Sequence, residues 1–207
     1  MVHYAESFKR PFTNFKRIVL GIIVSAVPIL NFAAAGYALE CARTAVNNNF
    51  ELPSFKEFGD LFMHGFFATL ISLIYSIPLF ILLGVFTNIS MSPFLSPFRA
   101  DFLVSLLGLG ITTQFLITIV FIFTMYLIPN AILSYAFNEK VSSAFVYDRM
   151  KERSLDKNYL KNWLLVSATY VLLIAIFIQV PVVGVSIATF LASIVGLSIL
   201  GEVYDAY

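Results

Sequence analysis

The sequence predicts an all-α, polytopic integral membrane helical bundle, and composition is the first reason. Hydrophobic residues make up 59% of the 207 residues and charged residues 12%, and the mean hydropathy is +0.88. Soluble domains are typically about 45–50% apolar and about 25% charged, and a compact chain of this length has too little interior to hide the excess apolar surface. Lipid must therefore be the solvent for most of the chain.

The second reason is a series of long apolar blocks. A helix that crosses the bilayer core needs about 20 apolar residues, and each block reaches or approaches that length. The blocks cover residues 18–39, 64–86, 102–137, 163–179 and 182–200. We therefore predict about four full transmembrane helices, with the last two joined as a helical hairpin over residues 163–200.

The distribution of basic residues decides how the first block is placed. If all five blocks cross the membrane from an internal N-terminus, five basic side chains lie inside and eight outside, which inverts the usual cytoplasmic excess. An external start gives eight inside but leaves the basic N-terminus on the wrong face. If residues 18–45 enter and turn back, twelve lie inside and one outside. We therefore predict a re-entrant or broken helix pair in the cell membrane, with the N-terminus and the charged connectors cytoplasmic.

A cleaved signal peptide is the alternative explanation of the N-terminal region. The basic start, the apolar run and the small residues "AAA" at positions 33–35 resemble such a peptide and its cleavage site. The long charged leader and the charge pattern after it favour the re-entrant interpretation.

Helix breaks are predicted at proline and asparagine positions within the apolar blocks. Pro28 lacks the backbone donor and clashes with the preceding turn, and Asn31 can satisfy the backbone groups that this break frees. Pro129 should kink the third block, and Pro181 lies in the turn of the final hairpin. Non-helical backbone at membrane depth requires cover by protein or water.

The remaining segments are predicted to lie at the membrane surface, so that the whole chain forms a single membrane domain. Residues 1–17 form an amphipathic leader in which Phe8, Phe12 and Phe15 share one helical face. In the connector over residues 46–63, the capping-box pattern of Ser54 and Glu57 predicts a short interfacial helix starting before Phe55. The other segments are the charged connector 138–162, whose mixed charges indicate a solvated face, and the tail 201–207.

The region from "GYALECAR" to "ELPSFKEFGDLFMHG" resembles a known family. Its positions are Gly36, Tyr37, Arg43, Leu52, Pro53, Phe55, Asp60, Leu61, Phe62 and Gly65. These residues resemble an archaeal family of uncharacterised membrane proteins, domain of unknown function 4013, whose members often have Trp at the position of Phe55. The resemblance implies a membrane location but supplies no activity and no catalytic residues. A more distant similarity is to sulfate permeases of the CysZ type.

Small residues recur at every fourth position of the last block. They are Gly184, Ala188, Ala192 and Gly196. Small residues allow helix backbones to approach closely in lipid, so this face is predicted to pack against another helix. A helix of the same chain is favoured over a second copy.

Several classes of function are disfavoured by the sequence. The net charge of +1 offers no basic excess for nucleic acid. The single Cys41 excludes an internal disulfide, and His3 and His64 are too isolated to suggest a metal site. The apolar blocks contain no recognisable catalytic motif, so we predict neither enzyme activity nor a cofactor.

Two functions remain. The first is a non-catalytic membrane protein that organises lipid or a partner, or that serves as an accessory subunit of a membrane complex. Its partners would be membrane lipids and a membrane protein or a second copy of the chain. The alternative is a small oligomeric solute channel or permease, with Asn31, Gln114 and Gln179 lining a polar path. The lack of an intramembrane ionisable residue at mid-depth favours the first function.

Overall fold

A computed structural model of the chain describes residues 2–87, 108–181 and 183–205. Every regular element in these ranges is helical, which confirms the predicted fold class. The α-helices are α1 (Tyr4–Lys9), α2 (Phe15–Ala26), α3 (Asn31–Val46), α4 (Phe58–Thr87), α5 (Ile111–Asn138), α6 (Tyr147–Ser154), α7 (Lys157–Phe177) and α8 (Gly184–Asp205). Short 3₁₀ helices cover Arg10–Phe12 and Val141–Phe145.

Four of these helices are long and apolar enough to cross a membrane. They are α4, α5, α7 and α8, with candidate spans at Phe58–Phe86, Ile111–Asn138, Lys157–Phe177 and Gly184–Tyr204. The chain is therefore a multi-pass membrane protein. Helices α2 and α3 are shorter than a span and form the broken N-terminal pair.

The chain divides into two units, of which the first comprises residues 1–71 and 129–207. Its centre is α8, whose apolar span is 61% buried, against 17% for the span of α7. Helix α2 runs antiparallel to α8, because Ser25 Oγ donates to the Ser186 carbonyl at 3.5 Å and Gly21 packs on Phe190. The C-terminal parts of α3 and α8 meet at Ala42 and Gly201, so these two helices run in the same direction.

The second unit comprises residues 72–128. It holds the C-terminal part of α4 and the N-terminal part of α5. Both parts leave large apolar side chains exposed, including Ile81 at 62% and Phe115 at 67%. In a helix that crosses a membrane, such a surface is the one that lipid covers.

The first predicted helix break coincides with a turn. Helix α2 ends at Ala26, and α3 begins at Asn31 after a turn over residues 27–30 that contains Pro28. The Asn31 backbone N–H donates across this turn to the Val27 carbonyl at 2.8 Å. The re-entrant placement of the pair stays a prediction.

Pro181 lies in the turn between α7 and α8, but the break predicted at Pro129 is wrong. Pro129 stands inside α5, which is continuous from Ile111 to Asn138, and the kink expected there stays a prediction. Proline removes a single backbone donor, and membrane helices tolerate the loss where neighbouring segments satisfy the freed groups. Pro78 is likewise accommodated inside α4.

Two further segments differ from their predicted limits, and part of a third is not described. The separate interfacial helix is absent from the described connector, because α4 begins at Phe58 and continues without interruption into its apolar span. The tail predicted at residues 201–207 is helical as far as Asp205, because α8 extends to that residue. The start of the third predicted block, residues 102–107, lies outside the described residues.

Candidate functional site

The centre of the candidate site is Arg10, which is fully buried although it belongs to the charged leader. Its Nη1 donates to the Cys41 carbonyl at 2.6 Å and to Ser198 Oγ at 2.8 Å. Its Nη2 donates to Thr44 Oγ1 at 2.5 Å and to the Glu51 carbonyl at 3.0 Å. One guanidinium therefore joins the N-terminal segment, residues 4–17, to α3, to α8 and to the connector over residues 46–63, which is the first connector.

The hydrogen-bond partners of the Arg10 guanidinium are neutral carbonyl and hydroxyl groups rather than acidic side chains. Two of its partners, Cys41 and Thr44, lie near the C-terminus of α3, where helix carbonyls carry partial negative charge that favours a cation. The Phe50 ring adds a contact, with its centroid 5.9 Å from the guanidinium carbon. Within the described chain the Nε atom has no hydrogen-bond partner.

The first connector is fastened by two further side chains. Arg17 Nη1 donates to the Leu52 carbonyl. Tyr37 Oη donates to the Pro53 carbonyl at 3.0 Å, and its ring stacks on Phe55 with centroids 4.3 Å apart. Four residues of the family-like motif, Tyr37, Leu52, Pro53 and Phe55, thus meet in one place. Their contacts hold the first connector against α3.

Two glycines of the same motif let α3 and α4 cross in backbone contact. A Cβ atom on Gly36 would lie 1.8 Å from the Leu61 carbonyl oxygen, and one on Gly65 would lie 1.7 Å from the Phe32 carbonyl oxygen. Phe62 packs edge-to-face on Phe32 beside the crossing, with ring centroids 5.6 Å apart. Only glycine fits at either position.

The two charged residues of the motif, Arg43 and Asp60, have different surroundings. Arg43 Nε donates to the Ala136 carbonyl at 2.7 Å, which ties α3 to the end of α5. The Arg43 guanidinium lies 3.2 Å from Glu139 and 3.7 Å from Glu40. Asp60 is exposed on α4 and does not join this cluster.

The small-residue face of α8 is used within the chain. Ala188 and Ala192 are fully buried, and a Cβ atom on Gly196 would lie 2.6 Å from Val166 of α7. Gly184 stands at the hairpin turn, where a Cβ atom would lie 1.9 Å from the Phe177 carbonyl oxygen. These contacts account for the spacing without a second copy.

The three amides of the predicted polar path belong to different units of the chain. Asn31 and Gln179 are exposed at the α2–α3 and α7–α8 turns. Gln114 belongs to the second unit, where its side chain donates to the Leu109 carbonyl at 3.1 Å. The polar path stays a prediction.

Several contacts that tie the chain ends together were missed by the sequence interpretation. The His3 backbone N–H donates to Glu202 Oε2 at 3.0 Å, and His3 Nδ1 lies 2.7 Å from Glu202 Oε1. The partners of Arg10 were also missed, since it had been counted only as a surface charge. The sole sequence signal was the position of Arg10 on an amphipathic leader between exposed phenylalanines.

The charged connector is also held to the helices. Asn130 of α5 donates from its side chain to the Met150 carbonyl at 3.3 Å and to Ser154 Oγ at 3.1 Å. The guanidinium of Arg153 lies 3.5 Å from the ring centroid of Tyr204 near the end of α8. Helix α6 is therefore held to α5 and α8 by specific contacts within the first unit.

The outer surface of the N-terminal segment carries exposed phenylalanine and lysine side chains. Phe12 is 81% exposed and Phe15 is 79% exposed, and Lys9 and Lys16 are exposed beside them. An apolar groove of about 440 Å³ separates this segment from α7 and α8, and Phe8 lies in its wall. In the described ranges, no group of three His, Cys, Asp or Glu side chains is placed to hold a metal ion.

The thiol of Cys41 is expected to be inert in the folded protein. Cys41 is fully buried, and burial raises the pKa of its thiol to about 12, although the Arg10 charge acts in the opposite direction. Because the pKa is raised, the reactive thiolate is scarce at pH 8. We expect maleimide labelling at pH 8 to be at least about a thousand-fold slower than for an exposed cysteine.

The matched control for this prediction is Ser54→Cys in a Cys41→Ser background, since Ser54 is exposed in the first connector. Cys41 should reach the same labelling rate only after unfolding in dodecyl sulfate. Rapid labelling of native Cys41 would contradict the packing of α3 against α8.

Comparison with known proteins assigns the chain to a family without a described activity. The sequence model of the family described as "Protein of unknown function (DUF4013)" matches residues 19–196. This range covers most of the chain and includes the whole motif from Gly36 to Gly65, so the family resemblance is confirmed. No curated protein and no solved structure gave a significant match.

Proposed function

Since the chain belongs to the DUF4013 family and is a multi-pass membrane protein, we propose that it is a non-catalytic protein of the cell membrane that organises lipid at the cytoplasmic surface. One observation carries the proposal. The N-terminal segment is fastened to the protein by the buried Arg10, while Phe12 and Phe15 project outward.

The surface chemistry of this segment suits the lipid interface. Burying a phenylalanine side chain contributes about 1.5–3 kcal/mol relative to exposing it in water. A basic residue near an anionic membrane surface contributes about 1 kcal/mol, and Lys9 and Lys16 are available for that interaction. Because Arg10 fixes the segment, lipid bound by Phe12 and Phe15 is held beside the transmembrane helices.

The proposed orientation places the N-terminus and both charged connectors in the cytoplasm. It is supported by the twelve-to-one distribution of basic side chains that follows when residues 18–45 re-enter. It is also supported by Arg10 and Arg17, which bond to Glu51 and Leu52 of the first connector. The segment and the connector therefore lie at the same end of the first unit.

The test is a tryptophan reporter at the exposed Phe15. The variant Phe15→Trp is made in a Trp163→Phe background and reconstituted in vesicles of phosphatidylcholine with or without phosphatidylglycerol, with bromine on the lipid chains. We expect bromine to quench the fluorescence, and more so in the anionic vesicles. Lys9→Gln combined with Lys16→Gln should remove that anionic preference. The loss of two basic side chains corresponds to about a 25-fold decrease in the affinity of the N-terminal segment for the anionic lipid surface.

Lys151→Trp in the same background supplies the water-exposed reference, because Lys151 is exposed on the polar helix α6. Its fluorescence should be quenched far less than that of Phe15→Trp. Equal quenching at the two positions would contradict the proposal. Solute flux through the same vesicles above that of protein-free vesicles would favour the channel alternative instead.

A further inference from the structure

The groove beside the N-terminal segment has the lining of a hydrocarbon site. It measures about 440 Å³ and lies within the first unit. Six of its lining residues are Phe8, Pro11, Phe12, Leu165, Leu172 and Leu191. The hydroxyl of Thr169, which also lines it, donates to the Leu165 carbonyl at 2.9 Å. The interior of the groove therefore presents carbon to a ligand.

A basic residue lies on the same face of α7 as the residues that line the groove. Leu165, Thr169 and Leu172 follow one another at steps of four and three residues, so they share one face of the helix. The residue four positions before Leu165 on that face is Lys161, about 6 Å further along the axis. Lys161 is exposed, and the four-carbon stem of a lysine can lie along apolar surface while its charge stays in water.

The N-terminal segment, which forms the other wall of the groove, has a basic residue next to one of the lining residues. Lys9 is exposed and directly follows Phe8 in the N-terminal segment. Among the described residues, no acidic side chain lies within ion-pair distance of Lys9 or Lys161. The nearby Asp156 instead accepts from the Tyr159 backbone N–H at 3.2 Å as the cap of α7.

We propose that this groove binds one hydrocarbon chain of an anionic membrane lipid, with the lipid phosphate held by Lys161 and Lys9. The occupant is a lipid because the apolar wall belongs to the span of α7 and the two cations lie toward the cytoplasmic surface. The proposal rests on the lipid-organising function and deepens it, since it names a discrete site and the charge of the headgroup.

The experiment is native mass spectrometry of the full chain in detergent with added phosphatidylglycerol or phosphatidylcholine. We expect one phosphatidylglycerol to remain bound and phosphatidylcholine to bind more weakly. Lys161→Gln should weaken phosphatidylglycerol binding about five-fold. Ala168→Phe, which places a ring in the groove, should abolish binding of that lipid.

Two variants serve as matched controls. Lys151→Gln removes an exposed charge on α6, and Ala175→Phe adds a ring to an exposed position of α7 that does not line the groove. Both should bind phosphatidylglycerol like the unaltered chain, and thermal melts in detergent establish that all four variants are folded.

The outcomes separate this site from the proposed function. Equal binding of the two lipids, or full binding by Ala168→Phe, would overturn the site. If the Phe15→Trp reporter still prefers anionic vesicles in that case, the lipid-organising function stands without the groove. If the groove shows no preference for phosphatidylglycerol and the Phe15→Trp reporter shows no preference for anionic vesicles, both proposals are overturned.

Discussion

Gly36→Ala and Gly65→Ala are each expected to destabilise the protein by about 3 kcal/mol or more. The added methyl group would overlap a backbone carbonyl oxygen, at 1.8 Å for Gly36 and 1.7 Å for Gly65. A backbone atom cannot rotate away as a side chain can, so α3 and α4 would have to separate. Separation would also disturb Phe32, whose ring packs on Phe62 and Phe66 beside the crossing.

The measurement is the midpoint of thermal unfolding in detergent, followed by tryptophan fluorescence. Gly59→Ala is the control, because Gly59 lies on α4 like Gly65 and nothing lies within 4 Å of a Cβ atom at that position. Its effect should stay within about 1 kcal/mol, because alanine is favoured over glycine in a helix. The double variant should cost less than the sum of the single variants, since helices already separated accept the second methyl group. A Gly36→Ala midpoint equal to that of the unaltered chain would contradict the crossing.

Arg10→Ala is expected to cost about 3 kcal/mol or more, because it removes four hydrogen bonds from a charged donor and each such bond contributes about 1.5–3 kcal/mol. The change leaves the Cys41 and Glu51 carbonyls without this donor and removes a donor from the hydroxyls of Thr44 and Ser198. Cys41 and Ser198 are buried, and a buried polar group that loses its partner carries a desolvation cost. Arg10→Lys should recover little of the loss, because a single ammonium cannot present two nitrogen atoms to partners on separate elements.

Unfolding midpoints and amide hydrogen exchange in residues 4–17 test this prediction together. In Arg10→Ala, exchange in that segment should rise more than exchange in α7, since the segment loses its main attachment. Lys9→Ala changes the neighbouring exposed cation and should alter stability by no more than about 0.5 kcal/mol. An Arg10→Ala protein with native exchange in the segment would show that Arg10 does not fasten it.

The sequence predicted the fold class because the evidence for it is local. A run of about 20 apolar residues identifies a membrane helix whatever surrounds it, and the turn at Pro28 follows from the geometry of one residue. Pro129 shows the limit of that reasoning. Its predicted break rests on the same missing donor, yet α5 is continuous through Pro129.

The candidate site could be predicted only in part. The motif between Gly36 and Gly65 drew attention to residues that do meet, although their contacts could not be read from the sequence. Arg10 gave no such signal, because its partners lie 31, 34, 41 and 188 residues further along the chain. A residue that binds so far from its own position has no characteristic neighbours in the sequence.

The bonds between the two ends of the chain have a consequence for biosynthesis. Three of the four bonds of Arg10 go to α3 and the first connector, so they can form as soon as that part of the chain has left the ribosome. The bonds of Arg10 to Ser198 and of His3 to Glu202 can form only after α8 has been made. The N-terminal segment therefore acquires its attachments in two stages, and the second stage depends on the insertion of α8.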